Sequence, residues 1–117
     1  MKLPTTAVCM KKILLAALLL VSTSNMAADK GVHGSGATSC GKFSNETTYQ
    51  RSYDLMWVLG FVDAVNIRNL EGPDLMKGID GDAALGFISN YCQNNPLDHL
   101  FNAASALVNE LKARNGK

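Results

Sequence analysis

The chain has 117 residues, 47% of them hydrophobic and 18% charged, with a net charge of +1. That length holds one domain, and the composition is that of a globular protein rather than a disordered or coiled-coil one. A net charge this close to zero provides no basic field for nucleic acid.

Residues 1–28 read as a secretory signal peptide. Lys2, Lys11 and Lys12 form a positive start, and Ile13–Val21 is an unbroken run of nine apolar residues. Small and polar residues follow, and cleavage falls after Ser24, Ala27 or Ala28. Nine apolar residues are too few for a stable membrane anchor, which needs about 20. Export implies a periplasmic protein, and the expected mature chain has 89 residues. Removal takes away three lysines and leaves eight basic and ten acidic side chains, a net charge of −2. With every carboxylate protonated and His33 and His99 charged, the side chains would carry +10.

Cys40 and Cys92 remain after cleavage. In an exported protein of this size they read as one disulfide. Two free thiols fit an oxidising compartment less well, and no zinc-ligand spacing is present.

Residues 29–39 are rich in Gly, Ser and Ala and predict a flexible arm carrying His33 as a solvated residue. A single helical domain, 40–117, follows. Thr47–Asn69 predicts a central helix, with Tyr53, Trp57, Gly60, Phe61, Ala64 and Val65 at three- and four-residue steps. Leu55, Leu59, Val62 and Ile67 widen its apolar surface and predict burial on most sides, with a close helix crossing at Gly60. Asp63 and Asn66 within this stretch read as a narrow wet stripe in preference to buried polar groups that need partners. Glu71–Asp74 breaks the helix, and a short fourth helix is expected near Asp74–Gly78.

Asp80-Gly81-Asp82 fails the spacing of a calcium loop, since the sixth position from Asp80 is Leu85 and the twelfth Tyr91. Asp80 or Asp82 reads instead as an N-cap. A second helix is predicted over Ala83–Gln93. A third starts with Asn95 as N-cap and Pro96 in its first turn. Its stripe is Leu97, Leu100, Phe101, Ala104, Leu107, Val108 and Leu111. The expected fold is all-α: three main helices, a short fourth, and a Cys40–Cys92 disulfide.

No Gly-rich phosphate loop, HExxH, GxSxG or CxxC motif is present, and no carboxylate pair stands out as acid and base. His99 reads as a surface or interface residue. The chain is not expected to be an enzyme and implies no cofactor and no metal.

Three segments carry a resemblance. Ser39-Cys40-Gly41-Lys42-Phe43 resembles the Thr-Cys-x-x-Phe opening of the small periplasmic acid-stress chaperones HdeA and HdeB. Gly60–Asn66 resembles the Gly-Phe-x-x-Ala-x-Asn helix of HdeA, and Phe87–Leu97 the Tyr-Cys-x-x-Asn-Pro stretch of HdeB. The resemblance covers residues 39–111 and implies an all-α fold with one disulfide. It also implies a holdase that is an inactive homodimer near neutral pH. In acid such a protein loses the dimer, partly unfolds and holds denatured periplasmic clients through apolar surface. Leu59, Phe61, Val62 and Leu100 are the candidate client or dimer residues.

The final helix is more regular and more apolar than that family's charged tail. Trp57–Phe61 also resembles periplasmic immunity proteins that neutralise type VI secretion amidases. Those share a Gly-Tyr/Phe helix but carry more cysteines. That resemblance implies one folded effector as partner.

Overall fold

A computed structural model describes residues 31–116, so the expected signal segment lies outside the described residues. The described residues form one 3-10 turn, Gly34–Ala37, and four α-helices, α1 (Cys40–Ser44), α2 (Thr48–Arg68), α3 (Gly81–Asn94) and α4 (Leu100–Asn115). Among the described residues the fold is all-α, with an isolated antiparallel bridge between Ser39 and His99.

Polar side chains set the starts of α1, α2 and α3. Ser39 Oγ accepts from the Lys42 amide at 3.2 Å, Thr47 Oγ1 from Gln50 at 3.3 Å, and Asp80 Oδ1 from Ala83 at 2.8 Å. Each satisfies an amide that the first turn leaves without a partner. Lys112 and Arg114 stand in the last turn of α4, where cations complement the helix dipole.

The core gathers one stripe from each helix. α4 contributes Leu100, Ala103, Ala104, Leu107, Val108 and Leu111, and α3 contributes Ala84, Ile88 and Cys92. α2 adds Val58 and Val62, α1 adds Phe43, and the linker adds Leu75. The Cys40–Cys92 disulfide forms, with both residues fully buried and their Cα atoms 4.6 Å apart. It pins α1 to α3.

Five expectations change. The expected flexible arm is packed over Gly34–Ala37. Gly36 is buried, and a Cβ there would run into the Trp57 ring and the Val32 side chain, so only glycine lets the turn lie on the indole. The third helix begins at Leu100 rather than Pro96. The carbonyls of Pro96 and Asp98 accept from Gly41 and Cys40 at 3.0 and 2.7 Å, and the bridge to Ser39 holds His99 extended. Asn95 instead closes α3, its side-chain amide donating to the Tyr91 carbonyl.

The short fourth helix is α1, not Asp74–Gly78. Residues 75–78 form turns that Gly78 ends at a φ of +74°. α2 is not buried on most sides: its fully buried residues are Asp54, Val58 and Val62. Gly60 supports no helix crossing, since nothing lies within 4 Å of where its Cβ would stand.

Candidate protein-binding face

α2 carries apolar residues around much of its circumference, and the fold uses one side of it. Val58, Val62 and Asp54 point inward. At 3.6 residues per turn, Tyr49, Tyr53, Met56, Gly60, Ala64 and Ile67 fall within about 80° of one another on the opposite side. Tyr49 is 70% exposed, Met56 69%, Ile67 67% and Tyr53 51%. Gly60 and Ala64, also exposed, leave a shallow saddle in the middle of this stripe.

The two tyrosines are ordered against each other. Their rings meet edge to face at 5.0 Å and their hydroxyls hydrogen-bond at 2.7 Å. That bond, with a smaller contribution from burial, raises the Tyr53 phenol above its ordinary value of 10.0. The Tyr53 hydroxyl therefore stays neutral across the physiological range, and the stripe contains no Asp, Glu, Lys, Arg or His. Exposed Ser52 and Asp63 flank one side, and exposed Gln50 and Arg68 the other. By side-chain size the stripe offers apolar area on the order of 500 Å², near the largest patch a typical monomer exposes.

Beside the stripe an aromatic file runs inward. Trp57 stacks on Phe61 with centroids 5.8 Å apart, and Phe61 meets Phe101 of α4 edge to face at 5.6 Å. A groove of about 250 Å³ opens beyond it, lined by Val32, Gly36, Ala37, His99, Phe101 and Asn102. It has one imidazole and no acid–base partner for it among those residues. Among the described residues no cluster of three or more His, Cys, Asp or Glu side chains could hold a metal ion. No helix there is long and apolar enough to cross a membrane.

The four residues singled out from sequence divide evenly. Leu59 and Phe61 are half-buried and lean on the core. Val62 and Leu100 are fully buried and present no surface in the folded chain. Both sit on stripes that the core consumes, so they can meet a partner only after the fold opens. The exposed set of Tyr49, Met56 and Ile67 was not singled out. Its signal was available as the 49, 53, 56, 60, 64, 67 spacing, but a second apolar spacing on the same helix overlaps it. His33 and His99 are exposed, as expected of solvated or interface residues.

No family model, curated protein or solved structure matches this chain.

Proposed function

We propose that this chain is a small exported protein-binding protein, a holdase resembling HdeA and HdeB, with the outer face of α2 as its contact surface. One observation carries the reading: an uncharged apolar stripe spans the solvent side of α2, where a folded chain of this size gains nothing from it. Acid control is part of the proposal. Three aspartates hold loops as hydrogen-bond acceptors. Asp98 accepts from Tyr91 Oη at 2.6 Å, Asp74 accepts from Asn66 and from the Met76 amide at 2.8 and 3.0 Å, and Asp80 caps α3. Full protonation of the carboxylates would carry the expected mature chain from −2 towards +10, and the positive charges would repel one another across so small a fold. The core residues Val62 and Leu100 would then become available to clients.

The second reading is an immunity-type protein that binds one folded secreted amidase. It is favoured by the stripe being present already in the closed, disulfide-bonded state, as a preformed interface requires.

Light scattering of an aggregating client enzyme, at pH 2.5 and pH 7 with the purified protein, tests the first reading. Suppression in acid that weakens several-fold in a Met56→Asp/Ile67→Asp variant is the expected result. No suppression at either pH, or equal suppression by the variant, overturns it. A tight complex with a folded amidase at pH 7, lost in the same variant, would establish the second reading instead.

A further inference from the structure

The corner between α1 and α2 holds charged groups that neither the binding face nor the loop aspartates use. Asp54 is 1% exposed, and its Oδ2 has no hydrogen-bond partner. Glu46, in the link between the two helices, has both carboxylate oxygens buried and without a donor. Arg51 stands beside them, but its fork is engaged elsewhere. Nη2 donates to the Ser44 carbonyl at 3.1 Å, the guanidinium carbon lies 5.7 Å from the Phe43 ring centre, and Nε is buried without a partner.

Lys42 of α1 is the other cation acting on Glu46. From α3 the corner is approached by Ser89 and Gln93, which line a small cavity with Phe43, Ser44 and Arg51 and carry no charge. Two ionised carboxylates here would face each other without a donor between them. One proton removes the repulsion and supplies the missing donor.

We infer that Glu46 and Asp54 form a one-proton carboxyl latch that ties the α1–α2 corner down more firmly in acid than at neutral pH. It goes beyond the proposed function and does not depend on it. The environment of Glu46 agrees in sign. Burial first, then the hydrogen bond that Asp54 can share with it once one of the pair is protonated, then the charge of Asp54 raise its carboxyl above the ordinary 4.5, while Lys42 and Arg51 only partly oppose them. A carboxyl raised in the folded state holds its proton better there than in the unfolded chain. Its contribution to stability is therefore present below the unfolded value and is lost as pH rises through the folded one.

The latch predicts a pH-dependent difference between wild type and Glu46→Gln, whose amide donates permanently to Asp54. Urea unfolding of the full, oxidised chain is followed from pH 3.5 to pH 8. At the acid end the two proteins should unfold at the same midpoint. Above pH 5 the wild-type midpoint should fall progressively below that of the variant, and Asp54→Asn should behave likewise. A midpoint difference that is constant across the range overturns the latch.

Should the variants not fold, carbon-13 titration of the wild-type carboxyls decides the matter. Glu46 titrating well above an ordinary glutamate, with Asp54 sensing the same step, supports the latch. Ordinary, independent titration of both overturns it.

Discussion

Breaking the Cys40–Cys92 bond should cost this fold a large part of its stability. The two cysteines are separated by 52 positions, and in the chain-entropy account closing a loop of that length stabilises by about 4 kcal/mol. Eighty-six described residues, at 0.05–0.15 kcal/mol each, correspond to a total of about 4–13 kcal/mol. The crosslink is therefore worth between a third and all of it. With a urea dependence of about 1–1.5 kcal/mol/M, suited to a domain this small, reduction should lower the midpoint by roughly 3 M. The assay is far-UV circular dichroism in urea on oxidised protein, protein reduced with a phosphine, and a Cys40→Ala/Cys92→Ala variant. Alanine is the right replacement because both sites are fully buried and a serine hydroxyl would have to be satisfied there. A fall of less than 1 M in both reduced and substituted protein would refute the reasoning. It would mean that the backbone bonds from Cys40 and Gly41 to the 96–98 turn already hold α1 without the crosslink.

Asn66→Ala should destabilise by about 1–3 kcal/mol, because it leaves the Leu75 amide without its acceptor at 3.0 Å and removes the donor to Asp74. Faster proteolytic cutting within residues 69–80 would accompany it, and an unchanged cutting rate would contradict the role given to Asn66. Gly36→Ala should push the indole of Trp57, the single tryptophan, off the 3-10 turn. The expected readout is red-shifted tryptophan emission with helical content unchanged, at a cost of about 1–3 kcal/mol. Emission identical to wild type would show that the turn does not rest on the ring.

The parts of the fold legible in sequence are those where a single physical signal acts alone. α4 has one apolar period with few competitors, so five of its six buried residues fall on a helix read from spacing. Asp80 combines capping chemistry with the onset of an apolar run, and it caps α3 as that combination implies, while Thr47, read as the start of the central helix, turns out to cap it. With Cys9 set aside in the expected signal segment, Cys40 and Cys92 allow one pairing. Legibility fails where two signals compete. α2 has apolar residues on opposite sides, and nothing local says which side faces the core. The answer lies in α3, whose Gly81 sits against Leu55 and Leu59, and in the aromatic file to Phe101. Pro96 is a good first helical residue, but α1 occupies the carbonyls around it, a contact between segments more than 50 positions apart. Asp54 carries no sequence signal of burial, being a carboxylate with no apolar period of its own. Its burial follows only from the helix rotation that the packing selects.

The proposed latch bears on which part of the chain acid would leave tied down. The Glu46–Asp54 corner lies by the disulfide-bonded α1, and one proton there relieves repulsion. Asp74 and Asp80 flank the 74–80 segment and Asp98 leads into α4, as hydrogen-bond acceptors away from that corner. A holdase of the proposed kind has to release apolar surface and still refold when the pH returns. A corner held both by the crosslink to α3 and by a shared proton would give such a chain a part that stays together while the rest opens.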